Sequence, residues 1–213
     1  MEHFFELFDP RSIIEYGGLT LLLIVIFAET GLFFGFFLPG DSLLFIAGLL
    51  CGTKDLDTPL ILLIVLVTIA AVLGTTAGYA MGLWADKYFK PRNENFFYRK
   101  RHLDMARNFY KKYGMIAFIL GRFLPVIRTF IPILAGIVRI DFVKFVLFNF
   151  MGAAIWVGIM ITTGYWLGNI FPNIADYLTI LVIAMIMITS VPLLLSWLRH
   201  RHGLIKEEEE EIN

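Results

Sequence analysis

Four ionisable side chains lie inside long apolar stretches of this 213-residue chain: Glu29, Asp41, Arg122 and Arg128. The acids are twelve residues apart, in ETGLFFGFFLPGD, and the arginines six apart, in GRFLPVIRTFIP. A charge at the centre of a membrane helix costs about 2.5–3.5 kcal/mol on insertion scales, so such residues pair with one another or line a wet path. Two of each sign sum to zero, and mutual neutralisation where the two stretches meet is the economical arrangement. Arginines also hold phosphate well, through planar forks of donors and any free backbone N–H groups at helix ends. A phosphate that displaced the carboxylates from the arginines would leave acids inclined to take up protons. With 21 phenylalanines in the chain, the walls suit an amphiphile with a phosphate head and a greasy tail.

Each charge also has a plainer reading. The arginines could be half of a buried ion pair that fixes the fold. Asp41, in Pro-Gly-Asp-Ser before a helical run, suits an N-cap. Glu29 lies mid-span without a local partner, which favours a paired or titrating role. Lys144 is near the start of its stretch and can snorkel to the interface.

The elements that carry these residues follow from composition. The chain is 58% hydrophobic and 17% charged, against roughly a quarter charged in soluble domains. Several apolar stretches reach the roughly 20 residues that cross a bilayer, which indicates an all-α polytopic membrane protein forming a single membrane domain, 1–213. Zero net charge gives no reason to expect a nucleic-acid partner. The single cysteine, Cys51, excludes an internal disulfide framework. The N-terminal HFFELFDPRSIIEYG lacks the basic start and small-residue cleavage site of a secretory signal.

Five apolar regions are legible: 17–52, broken at Pro39-Gly40-Asp41; 58–85; 114–137, holding Gly121, Pro125, Pro132 and both arginines; 141–168; and 174–198. Nine basic residues against three acidic ones lie between Asp86 and Lys112, so the loop 86–113 and the tail 199–213 are expected in the cytoplasm. Region 114–137 must then enter and leave on that side, as a re-entrant hairpin broken at its prolines. The loop itself, with Leu103, Ala106, Tyr110 and Tyr113 at helical spacing, reads as an amphipathic surface helix. Trp84, Trp166 and Trp197 fall where interface anchors belong. The side of the N-terminus stays open.

The chain also repeats itself. Gly35-Phe36-Phe37-Leu38-Pro39 matches Gly121-Arg122-Phe123-Leu124-Pro125 at an offset of 86, and Gly78-Tyr79 with Gly82 matches Gly164-Tyr165 with Gly168 at the same offset. Ala47-Gly48 resembles Ala135-Gly136. The halves, 17–85 and 114–168, read as an inverted repeat: two opposed re-entrant hairpins, plus three to four full spans in the whole chain. Paired broken segments point to a transporter's binding site. The competing reading is that glycine and proline merely serve helix packing.

ETGLFFGFFLPGDSLLFIAG, Gly74-x-x-x-Gly78-Tyr79 and GRFLPVIRTFIPILAG together resemble the bacterial DedA family, within the wider VTT-domain group, over roughly residues 15–200. The resemblance implies a multi-pass inner-membrane protein that moves a phosphate-headed lipid, foremost undecaprenyl phosphate, with proton or sodium coupling. Phosphatidylethanolamine, or phospholipids in general, are the alternative cargo. By position, Glu29 and Asp41 are the candidate coupling acids and Arg122 and Arg128 the candidate phosphate ligands; Gly74, Gly78, Tyr79, Gly164 and Tyr165 are packing residues. An ion antiporter using the acids alone is a rival reading, as is a pure assembly role, and a homo-oligomer is an open possibility. An enzyme would need a nucleophile or base beside the arginines. All four histidines (His3, His102, His200, His202) lie in tails or loops, and Cys51 has no histidine near it. No catalytic residue, metal or cofactor is therefore expected.

Overall fold

In this computed structural model, residues 10–32, 35, 38, 40–88, 114, 116–123 and 125–170 are described. Among them the chain is all-helical: α1 Pro10–Gly31, α2 Gly40–Leu50, α3 Leu60–Tyr88, α4 Ile116–Leu120, a 3-10 turn Gly121–Phe123, α5 Pro125–Ile137 and α6 Phe142–Ile170. They lie within one compact unit, Met1–Ile174. The expected amphipathic loop falls almost wholly outside the described residues. The span 174–198, the tail 199–213 and all four histidines fall outside them altogether.

The two 29-residue helices, α3 and α6, are apolar nearly all round, the signature of a helix surrounded by protein core or lipid. Both are long and apolar enough to cross a membrane. Their outward faces carry Ile61, Val65, Leu73 and Trp84 on α3, and Val143, Leu147, Ile159 and Trp166 on α6, all exposed. The buried face of α6 holds Phe145, Asn149, Gly152, Ala153 and Trp156, one stripe at helical spacing that mixes small and polar residues. A soluble protein places its residues the other way round. Each helix runs past its expected end, to Tyr88 and to Ile170. At the other end of α6, Asp141 caps the helix, accepting from the Lys144 N–H at 2.9 Å, and the Lys144 side chain is exposed.

Region 17–52 becomes two helices. α1 begins earlier than expected, at Pro10, and is bent at Gly18, whose φ of 54° is outside the helical range. It ends at Gly31, and α2 restarts at Gly40 for 11 residues, roughly 16 Å at about 1.5 Å per residue. In region 114–137 the interruption is the short turn Gly121–Phe123. Pro125 opens α5, where a missing N–H costs nothing. Pro132 departs from expectation, because it lies inside α5 rather than at a break. The helix continues through it, although proline cannot supply the N–H that the Arg128 carbonyl would accept. Pro39 lies outside the described residues.

The packing pairs the helices across the two halves. Gly48 of α2 abuts the Ile161 backbone and Gly164 of α6 abuts Phe45, so a Cβ at either would strike a carbonyl oxygen. In the same way Gly136 of α5 meets the Tyr79 backbone and Gly82 of α3 meets Ile133. Each long helix thus lies against the second arm of the other half. The first arms stay at home: α1 packs on α3 and α4 on α6, with Gly31 and Gly74 backbone to backbone. Beyond these seams, Tyr79, Phe118, Ile131, Ala135 and Phe145 form a shared core. There Tyr79 stacks on Phe145 at 4.7 Å, and its hydroxyl donates to the Ile140 carbonyl at 2.6 Å.

Candidate functional site

The breaks in both halves deliver their charges to one place. Glu29 comes from the last turn of α1, Asp41 from the first turn of α2, Arg122 from the 3-10 turn and Arg128 from the first turn of α5. Beside them α3 contributes Thr75, and α6 contributes Asn149 and Trp156, which share a face seven residues apart.

Arg128 is the hub. Its Nη1 donates to Asp41 Oδ1 at 2.8 Å, and its Nη2 donates to Glu29 Oε1. The guanidinium carbon lies 5.0 Å from the centroid of the Trp156 ring, within cation–π range, while the Trp156 indole N–H donates to Asp41 Oδ1 at 3.0 Å. Glu29 is wholly buried and Arg128 is 6% exposed; the Asp41 side chain is 17% exposed. The Glu29 carboxylate lies directly on Gly40, so that a Cβ there would overlap it. Its second oxygen, Oε2, has no hydrogen-bond partner among the described residues. Asp41 in the first turn of α2, with Glu29 against Gly40, puts negative charge where the helix dipole favours it.

Arg122 is held differently. Its Nη2 donates to Asn149 Oδ1 at 2.6 Å and to Thr75 Oγ1 at 3.4 Å, and its guanidinium stands 6.0 Å from the Trp156 ring. It is 4% exposed, and among the described residues it makes no ion pair. The four charges therefore converge without neutralising in pairs: Arg128 takes both acids and Arg122 takes none. A small cleft of about 10 Å³, room for roughly one water molecule, lies between the two arginines, lined by Thr75, Phe118, Arg122, Arg128, Pro132 and Asn149. Among the described residues the Nε atoms of both arginines are buried without acceptors. Such donors are groups that an anion can satisfy.

The remaining predicted residues serve the frame. Gly74 packs against Thr30 and Gly31, Gly78 faces Gly31 and Pro132, and Gly164 meets Phe45. Tyr79 is tied to Ile140, away from the charges, and the Tyr165 carbonyl accepts from Asn169 at 2.9 Å. Asn149, Thr75 and Trp156 were not anticipated. Asn149 did leave a signal, as an amide inside the apolar run FVLFNFMGAAIW. The threonine and the tryptophan left none that separates them from ordinary membrane-helix residues.

The VTT domain family matches residues 38–166, which carry Asp41, both arginines and the three residues around them. Protein DedA of Escherichia coli strain K12 is 37% identical over 192 residues, covering 89% of this chain and 87% of that protein. An uncharacterised membrane protein of Mycobacterium leprae is 34% identical over 188 residues, 88% of this chain and 82% of the relative. Inner membrane protein YqjA of Escherichia coli strain K12 is 34% identical over 149 residues, 70% of this chain and 67% of that protein. No solved structure matches. With the family matched across the site and relatives aligned over most of their length, the chain belongs to the DedA family of VTT-domain membrane proteins.

Proposed function

We propose that the protein is a lipid transporter, a flippase or scramblase, that carries a phosphate-headed lipid across the bacterial inner membrane; undecaprenyl phosphate is the foremost candidate. The observation that carries this reading is the asymmetry of the arginines. Arg128 is closed by Glu29 and Asp41, while Arg122 faces a cleft and, among the described residues, has neutral hydrogen-bond partners only. A phosphate entering the cleft meets Arg122 first and then competes with the carboxylates for Arg128. Releasing Glu29 or Asp41 from its cation favours protonation, so headgroup binding and proton uptake are coupled. No step in this cycle breaks a bond, and the protein acts as a carrier rather than an enzyme.

The broken segments suit that role. At about 1.5 Å per residue, α2 and α5 each reach roughly half to two thirds of a hydrocarbon core about 30 Å thick. Each pairs with a first arm to make a re-entrant hairpin, and the two hairpins meet near the midplane. Irregular backbone at that depth is tolerated where it is buried in protein or lines a cavity, and midplane sites at broken helices are the transporter pattern. The C-terminus lies in the cytoplasm by the loop charges.

The test is headgroup-selective translocation with purified protein in proteoliposomes, comparing undecaprenyl phosphate with phosphatidylethanolamine in wild type and Arg128→Ala. Faster movement of the phosphomonoester, lost in the variant, is expected. Equal transport of both lipids by both proteins would refute the arginine-site reading.

A second reading, a proton- or sodium-coupled ion antiporter, draws on one observation: the buried Glu29 Oε2 without a partner, where a proton or cation could reside. Cation exchange in vesicles free of translocatable lipid would favour it.

A further inference from the structure

Asn149 is fixed by a chain of hydrogen bonds that runs one way. The Thr75 hydroxyl is within reach of the Ala71 carbonyl at 2.9 Å and of Val72 at 3.0 Å, so its proton is committed to its own helix. Its oxygen is left as an acceptor, and the Asn149 Nδ2 donates to it. That turns Asn149 Oδ1 toward Arg122, from which it accepts at 2.6 Å. Asn149 and Thr75 are each 2% exposed, and the direction of the amide is set by donors rather than by space.

Aspartate has nearly the same shape and would pair with a buried arginine, but its second oxygen would face the Thr75 oxygen with no proton between them. Thr75 therefore selects an amide over an acid, and the two together present Arg122 with a neutral acceptor. The amide holds the guanidinium in place without, among the described residues, giving it a direct ion pair, beside a cleft that Arg122, Arg128, Thr75 and Asn149 all line.

We infer that Asn149, oriented by Thr75, is a specificity-determining residue: it positions Arg122 by a neutral acceptor so that the cleft selects an anionic phosphate group. This rests on the phosphate-site reading above and assigns to α6 and α3 a part in it that the four charged residues do not supply. The ligand chemistry is a phosphate, from a lipid headgroup or free in solution.

The experiment uses purified full-length chain in detergent, with melting temperature followed against increasing short-chain phosphatidic acid or inorganic phosphate. Wild type is expected to be stabilised by phosphatidic acid. Asn149→Asp should bind the probe at least about tenfold more weakly, because a like charge now faces the phosphate. A purely structural asparagine predicts a shift in the melting temperature without probe, with binding by the folded protein intact. Thr75→Val, which frees the amide to turn, should weaken binding in the same direction, and it decides the matter if Asn149→Asp does not fold. Equal affinity in wild type and variants, or no stabilisation of wild type by either probe, overturns the inference. Stabilisation by inorganic phosphate alone, lost in Asn149→Asp, upholds the site and identifies free phosphate as its ligand. A wild type that binds as described but moves no phosphate-headed lipid leaves this inference standing and sinks the transport reading.

Discussion

Arg128 and Asp41, 87 residues apart in the chain, are joined at 2.8 Å. The bond ties the first turn of α5 to the first turn of α2, so the second arms of the two halves are latched to each other by one ion pair. Glu29 adds the last turn of α1 to the same latch.

Removing the latch cation leaves two acids facing each other in a buried site. Arg128→Ala should destabilise the protein by about 3–5 kcal/mol, the usual cost of stranding one side of a buried pair. It should also abolish translocation. Arg128→Lys, a single point of charge in place of a fork, should recover stability only in part. Thermal unfolding in detergent, read beside proteoliposome transport, separates the two effects.

Arg122 should behave in the opposite way toward stability. Among the described residues its direct partners are neutral, so Arg122→Gln is expected to leave the melting temperature unchanged or raised while lowering translocation of a phosphate-headed lipid at least about tenfold. A marked fall in melting temperature would show that Arg122 is instead a structural counter-charge.

If carboxylate release and phosphate binding are coupled, the acids carry the pH response. Glu29→Gln and Asp41→Asn should each flatten the dependence of translocation on pH, because a neutral amide can be displaced from Arg128 without taking up a proton. Transport measured across a pH series in both variants is the check. Wild-type activity with wild-type pH response would remove the coupling.

The glycine seams make a paired prediction. Gly48→Ala must push α2 from α6, and Gly136→Ala must push α5 from α3, since each added Cβ meets backbone. Both should cost about 1–3 kcal/mol as overpacking, in similar measure, and this is readable as a fall in melting temperature. A large effect at one seam with none at the other would show that the two contacts are not equivalent.

Tyr79→Phe supplies a control away from the charges. Losing the bond to the Ile140 carbonyl should cost about 0.5–1.5 kcal/mol, with transport per folded molecule unchanged. A transport defect without a stability defect would extend the functional site to the turn before α6.

The charges were legible in the sequence because an ionised group in an apolar run has so few explanations. Their partnership was less so. Net neutrality suggested two matched pairs, but pairing depends on which arm approaches which, and that is set by contacts more than a hundred residues apart, such as Gly48 with Ile161. Asn149 stands out in its apolar run less than a charge does, and its partner is not legible there; its importance arises only once Arg122 is beside it. Pro132 misled for a related reason. Proline breaks a helix only if its neighbours cannot hold the turn together, and α5 is held by α3 along Tyr79, Gly82 and Leu83.

The crossed seams carry a last consequence. Because α3 leans on α5 and α6 on α2, each half lacks part of the surface that its own long helix packs against. Cut into two polypeptides and made separately, each would present a bare glycine face and a stranded charge to the lipid, acids on one and arginines on the other. Made together, each is the other's missing wall, and the two fragments have every reason to find one another.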